Sequence, residues 1–396
     1  MKKLTLVSLL IVSSACGGDD DPSPTSVTRE DVIANHANVV HATYVDAVRG
    51  AKALKASIDA FVAAPSAVRL DAAKRAWLSA REAYGQSEAY RFADGPIDDA
   101  DGPEGQLNAW PMDEAYLDYV DGDADAGIIN TASIAISKDT LLGLNGGAMG
   151  DVTGIGADFD EEKAITTGYH AIEFLLWGQD RAADGPGTRS WQDYATTGTP
   201  TAPNGARRGQ ALQIIATILV EDLEALVAEW GSSGAYRATW LALPEDEALA
   251  KMLSSMGILA KGELASERMD VALQTLDQED EHSCFSDNTH RDIYLNARGI
   301  ENVWRGRYEW IDGPGLDDLV RAADPAAADA LDAAIAASTE AILAIPAPFD
   351  QAIRVNGSPG WRAVDAAVQA LFAQADATIA AGTALGLPNI SVDLPE

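Results

Sequence analysis

The chain has 396 residues, with 28 Lys and Arg against 61 Asp and Glu, a formal net charge of −33. Such an excess argues against affinity for nucleic acid, whose phosphates it would repel. It draws cations to the surface, although a salt-tolerant solvated surface accounts for it equally well. Abundant Ala and Leu, few aromatics and the lack of alternating Val/Ile/Thr runs predict an all-α fold with few or no strands.

Met1-Lys2-Lys3 is a basic start, residues 4–12 form a short apolar run, and Ser13-Ser14-Ala15 precede Cys16. This reads as a secretory signal over 1–16 that ends at a lipidated cysteine. Lipoprotein signals prefer an aliphatic residue where Ser13 stands, so the signal departs from its pattern there. The run is too short to span a bilayer. Residues 17–27 are rich in Gly, Asp, Pro and Ser and read as a flexible tether. The localisation that follows is the cell envelope, on a periplasm-facing lipoprotein of the outer membrane.

Thr28 to Asp31 predicts a capping box that opens a helix to about residue 63. Its His36 and His41, five apart, share no face and read as structural. A second helix spans 67–90, with Trp77, Arg81, Tyr84 and Glu88 recurring along one inward stripe. A carboxylate on such a stripe needs a partner. For Glu88 this is either a shared site with other polar groups or an ion pair with Arg81 or Arg91. Residues 93–112 form a long loop that is too long for an idle connection. Its Asp94, Asp98, Asp99 and Asp101 lack the spacing of a calcium loop, so it reads as a pocket wall. Short helices are expected over 113–120 and 126–136, and a Gly-rich loop over 141–156 that carries no phosphate-binding pattern.

The central stretch is Gly168-Tyr169-His170-Ala171-Ile172-Glu173-Phe174-Leu175-Leu176-Trp177-Gly178. Asp158, Asp160, Glu161 and Glu162 suit the first turn of its helix, and Gly178 suits its stop. His170 and Glu173, three apart, lie on one face. An imidazole and a carboxylate one turn apart can grip one cation, but two ligands fall short of the usual three or four. Residues 181–206, rich in Gly, Thr and Pro, mark the expected domain boundary. Helices follow over 207–230, 235–243 and 245–276, the last with a break near Gly257 or Gly262. A polar stretch at 279–292 leads into a helix over 289–310, and further helices cover 325–345 and 361–381. The tail from Leu385 is expected to trail on the surface. Cys284 reads as a buried thiol.

Three strings resemble the imelysin family and its iron-regulated branch. The first is Gly-x-His-x-x-Glu followed by Phe174 to Asp180. The second runs from His282 to Asp292. The third joins Tyr90 to Phe92, Gly95 to Asp98, Gly105 to Pro111, and Asp113-Glu114. The resemblance implies two helical-bundle domains with the motifs near their junction. They are taken here as residues 28–200, which carry Gly-x-His-x-x-Glu, and 201–396. It also raises the short polar stretch of Asp287, His290 and Asp292 to a second half of the site.

The expected site therefore joins His170, Glu173 and Glu88 as metal ligands, with both carboxylates within about 6 Å of the imidazole. Asp287 or His290 faces the same cleft, Asp98 lies in a loop that closes over it, and Arg81 lies alongside. No residue is assigned a catalytic role. The cofactor would be a divalent metal ion, iron foremost, with zinc or copper also compatible with nitrogen and carboxylate donors. The function is then a metal-binding envelope lipoprotein that contributes to iron uptake. Its partners are a metal ion or chelate, the membrane through the lipid anchor only, and an unidentified envelope transport partner. A metallopeptidase is the alternative, since some family members carry that name. In the His-Glu-x-x-His helix of zinc peptidases, however, the second His comes four residues after the first and the basic Glu stands where Ala171 stands, whereas here Glu173 comes three after His170. A non-catalytic interaction protein is the third reading.

Overall fold

The computed structural model describes residues 27–147, 149–154, 159–387 and 389–394. The signal, Cys16 and the tether before residue 27 lie outside them, as does Asp158. Regular structure in the described residues is almost all helical. Two strands, Arg307–Tyr308 and Ile311–Asp312, make one small antiparallel hairpin. No helix among the described residues is long and apolar enough to cross a membrane.

The first helix, Arg29–Ala63, starts at the expected capping box. The Thr28 hydroxyl accepts from the Asp31 amide at 3.1 Å, and the Asp31 carboxylate accepts from the Thr28 amide at 3.0 Å. It buries Val32, Val39, Val40, Tyr44, Leu54, Ile58 and Phe61 against the second helix, Ala67–Ser87, and a later one, Gly205–Trp230. His36 is buried among Tyr90, Trp230 and Trp240. A second group forms where Pro325–Leu343 and Pro359–Ala384 pack together, the latter also against Glu245–Ile258 and its continuation. Between these groups stands Thr289–Arg305, which touches the second helix on one side and Pro325–Leu343 on the other. The turn that feeds it meets the central motif helix, and this placement builds the site.

Several local expectations fail for identifiable reasons. The motif helix is only Gly168–Trp177. The acidic residues 160–162 lie in a separate turn before it, because the chain must first pass beside residues 106–107. Gly168 has φ +86°, and a Cβ there would sit 2.6 Å from the Leu107 carbonyl oxygen. Residues 126–136 form successive turns rather than a helix: Asn130 and Thr131 spend their side chains on the Ala126 and Gly127 carbonyls, a local competition with helical bonding. Only Glu114–Leu117 of 113–120 is helical, while Lys138–Leu144 adds a helix where a loop was expected. No break interrupts 245–275. Instead Leu259–Asp270 widens into a π-helix, with the Val271 amide reaching the Ser266 carbonyl. The two glycines expected to break it serve the tail: Gly257 lies under Val392 and Gly262 under Leu394. Leu387 and Val392 are buried, so the tail is docked rather than loose. The helix expected to reach residue 310 stops at Arg305, where Gly306 turns left-handed at φ +62°.

Candidate functional site

The motif helix is buried along its whole length, so each polar side chain on it must be satisfied from elsewhere. The second helix supplies part of the framework. The Trp77 indole donates to the Tyr169 carbonyl at 2.9 Å, and the wholly buried Arg81 lies over the Tyr169 ring. The rest comes from residues 281–289, a turn buried at every position. A buried loop is uncommon because its backbone groups need partners.

His170 Nδ1 lies 2.9 Å from Glu173 Oε2. The other Glu173 oxygen accepts from the Ser286 amide at 3.0 Å and the Ser286 hydroxyl at 2.6 Å. Burial pushes the Glu173 carboxyl up to about 8 and the His170 imidazole down to about 3. The pair is therefore net neutral at pH 7, with one proton shared between carboxyl and ring. His170 Nε2 is buried and has no hydrogen-bond partner.

A second imidazole stands edge-on to the first. The His170 and His282 ring centroids are 4.7 Å apart, with planes at 79°. His282 Nδ1 lies 3.0 Å from Asp292 Oδ2. Asp292 also accepts from Ser283 at 2.5 Å, and from Arg81 and Asn288 at 3.2 Å each. Burial opposes its charge, but Arg81, His282 and Ser283 outweigh that and hold it far below the ordinary carboxylate range. An ionised Asp292 makes Nδ1 the donor. Burial and Arg268 push His282 down to about 3, so the ring is neutral and its Nε2 carries a bare lone pair. His282 lines a cleft of about 250 Å³ together with Arg91, Asn108, Trp110 and Arg268.

Glu88 is inward and buried, and its oxygens are taken up in an ion network. Arg268 donates to it at 2.9 Å, Arg91 at 3.1 Å and Asn108 at 3.5 Å. Burial would raise its carboxyl, but Arg91 and Arg268 prevail and hold it at about 2. Its charge reaches the His170 ring, yet its direct contacts are cationic, as the ion-pair reading of Glu88 anticipated with Arg91. Asp98 binds its own loop, accepting from the Phe92 and Gly95 amides. His290 is half-buried, with Nδ1 3.1 Å from the Asp287 carbonyl. Cys284 is buried and its thiol is pushed up by burial.

Asp287 turns to the other side of the same loop. It sits at φ +58°, and its carboxylate faces Glu281 and Asp350, with ligand-capable oxygens within 4.8 Å of one another. Burial first, then Asp350, Asp180 and Glu173, push Asp287 up to about 7. Glu281 is raised further by burial, against a partial offset from the Thr289 hydroxyl. The structure thus joins His170 and Glu173 with Arg81 close by, and divides Glu88 and Asp287 into two adjoining clusters.

Sequence reasoning placed Asp292 in the polar stretch of the site's second half but passed over His282, Ser286, Arg268, Glu281 and Asp350 as site residues. His282 opens the second recognised string and could have been found there. Asp350, in an ordinary first turn after Pro348, carries no signal.

The fold is all-α around a buried pair of imidazoles, each held by a carboxylate. The chain belongs to the imelysin (peptidase M75) family, whose profile matches residues 40–378. It is 26% identical over 348 residues to iron-regulated protein A of Synechococcus elongatus, covering 85% of this chain and 80% of that one. It also superposes on a crystal structure from Parabacteroides distasonis, of a candidate iron-regulated protein A precursor. The TM-score is 0.68 at 19% identity, over 93% of this chain and 98% of that one. At that identity the likeness speaks for the fold alone.

Proposed function

We propose that this protein is a cell-envelope lipoprotein that binds a metal ion, iron foremost, at His170 and His282, and takes part in iron uptake. The observation that carries the reading is the buried, unpartnered Nε2 of His170, on a ring whose Nδ1 is held by Glu173. A carboxylate bonded to one ring nitrogen fixes the tautomer and raises the basicity of the other, the usual arrangement behind a metal-bound histidine. His282 with Asp292 repeats it one ring away. Neutral imidazole is the ligand form, and burial keeps both rings neutral. At pH 7 the Glu173 carboxyl is protonated and donates to Nδ1, so Nε2 carries the ring proton. A bound metal would take the place of that proton and leave Glu173 as the carboxylate that orients the ring. Imidazole donors suit iron, zinc and copper alike, so the preference for iron rests on the relative's name. Release from the membrane by Cys16→Ser would test the anchor. The envelope transport partner is left to the same chemistry: a protein that accepts a metal ion or its chelate.

The metallopeptidase reading gains no support from a particular residue. Glu173 and Asp292, the carboxylates next to the imidazoles, are both committed to orienting bonds, and a peptidase needs a base free to meet water.

The test is elemental analysis of purified protein loaded with Fe(II) or Zn(II) and desalted. Wild type should retain about one equivalent, with His170→Ala and His282→Ala each losing it. Retention unchanged in both variants would sink the site.

A further inference from the structure

The Glu281, Asp287 and Asp350 cluster has no part in the imidazole site. All three residues are buried, Glu281 with 0% of its surface exposed, Asp350 with 3% and Asp287 with 9%. Oδ1 of Asp287 and Oδ1 of Asp350 are buried without a hydrogen-bond partner, and neither buried oxygen of Glu281 has one of bonding geometry, the Thr289 hydroxyl offering it only a partial offset. Three carboxylates with one ligand atom each inside 4.8 Å of the others, and four of their oxygens unsatisfied, have no counterpart elsewhere among the described residues. The other buried carboxylates near the site, Glu88, Glu173 and Asp292, have both oxygens bonded to protein groups.

The cationic side chain at hand is Arg354, 3.5 Å from the other Asp350 oxygen and 43% exposed. It reaches neither Glu281 nor Asp287 within ion-pair distance. Asp180 adds a further negative charge to the neighbourhood, while its own oxygens accept from the Ala182 amide and Gln278. Leaving a buried polar group unmatched costs about 1–3 kcal/mol, and more for charged groups. Here the fold gathers three such groups and offers them only the half-exposed Arg354, which reaches Asp350 alone.

We infer that Glu281, Asp287 and Asp350 form a second metal site, for a hard divalent cation of the calcium class. Hard cations take oxygen ligands, and calcium–oxygen bonds of about 2.3–2.6 Å let two opposed ligands stand about 5 Å apart. The three carboxylates, within 4.8 Å of one another, fit around one such ion without rearrangement. No sulfur or imidazole enters the set: Cys284 lies on the same turn but outside the group of ligand atoms. Glu281 opens the buried turn, Asp287 lies further along it, and Asp350 comes from the helix Phe349–Ile353. An ion there would tie the turn to the C-terminal helices. The assignment is independent of the imidazole site, which would hold its own metal or none.

The experiment uses the purified protein stripped with chelator, then dialysed against calcium, magnesium or Fe(II) in separate arms. Bound equivalents and Tm are read together. Wild type should take up one equivalent of calcium and melt higher in its presence. Glu281→Gln with Asp350→Asn should lose that equivalent and the Tm rise. His170→Ala should keep both, which separates this site from the imidazole one. In chelator the double variant should melt no lower than wild type, since it removes repulsion, and this shows that it folds. Wild type that neither binds calcium or magnesium at millimolar concentration nor shifts its Tm overturns the proposal. So does calcium uptake unchanged in the double variant. Uptake of iron but of neither alkaline-earth ion, lost in that variant, would reassign the cluster to cargo and also overturns it.

Discussion

Two buried acidic places in this molecule solve the problem of an interior charge in opposite ways. At Asp118, one carboxylate meets two arginines. Arg208 donates to both of its oxygens, at 2.6 and 2.8 Å, and Arg189 adds a bond of 2.6 Å. The Arg208 guanidinium also donates to the Asp193 and Pro203 carbonyls. At Glu281, Asp287 and Asp350, like charges meet and their inner oxygens go unbonded. In the first arrangement both carboxylate oxygens are bonded within the chain, and the atom left over is an arginine nitrogen, Arg189 Nε. The second is complete only with something added. Burial and charge alone do not tell a structural cluster from a binding cluster; what tells them apart is which atoms are left over.

The contrast breaks most sharply at Asp118. Asp118→Asn leaves Arg189 and Arg208 facing each other in the interior, and breaking a buried pair costs about 3–5 kcal/mol. Urea unfolding monitored by circular dichroism should show a loss of that order. A loss under about 1 kcal/mol would mean the arginines find other partners and that the cluster is not closed as drawn.

A pH series in chelator sharpens the comparison without mutation. Glu173 at about 8 and Asp287 at about 7 sit above the ordinary carboxylate values of 4.5 and 3.8. The folded state then holds protons that the unfolded chain releases, so these groups lower stability as pH rises through that window. Glu88, held at about 2, works the other way: its contribution is present above 4.5 and is lost as pH falls towards 2. His36, His170 and His282, lowered from 6.5 to about 3, oppose the raised carboxyls below 6.5, because there the unfolded rings bind protons that the folded ones do not. Metal-free protein should therefore melt highest near pH 6.5, with Tm falling on both sides. A Tm that climbs steadily from pH 5 to 8 in chelator would contradict the carboxylate environments described here.

The smallest effect is expected on the surface. Arg75 and Asp71 pair one helical turn apart, with 64% and 61% of their side chains exposed. Exposed pairs of this kind are worth about 0.3–0.5 kcal/mol. Arg75→Ala should change urea stability by no more than that, and a larger loss would show that simple exposure is a poor guide in so acidic a chain.

How much of this was legible in the sequence depends on where the cause lies. The long helices announce themselves because their periodic apolar stripes and the Thr28 cap are local. The His170–Glu173 contact follows from helical spacing, and the inward placement of Glu88 from its stripe with Trp77, Arg81 and Tyr84. The true start of the motif helix was not legible, because the backbone of residues 106–107, far off in sequence, fixes Gly168. The acidic residues before it imitate a first turn. The π-helix at Leu259–Asp270 leaves no compositional trace, although it carries Arg268 to Glu88. Asp287 was legible as polar and inward but not as separate from His170, since adjacent residues of a turn can face opposite sides. Asp350 lies over sixty residues from its neighbours Glu281 and Asp287, beyond the reach of any spacing argument.

The buried turn serves both clusters with alternate residues. Glu281 faces the carboxylates and His282 faces His170, while Ser286 holds Glu173 and Asp287 looks back at Glu281. A strut of this kind cannot be displaced at one end alone, since its packed interior leaves little room to absorb the shift. An ion that pulls Glu281 and Asp287 together therefore also resets His282 and the Ser286 clamp. Linkage then requires the effect to run backwards with equal strength: whatever one occupant does to the affinity of the other, the second does to the first. With the proposed metal at the imidazoles, a protein built this way would sense the ionic composition of its surroundings through the same nine residues that carry His282.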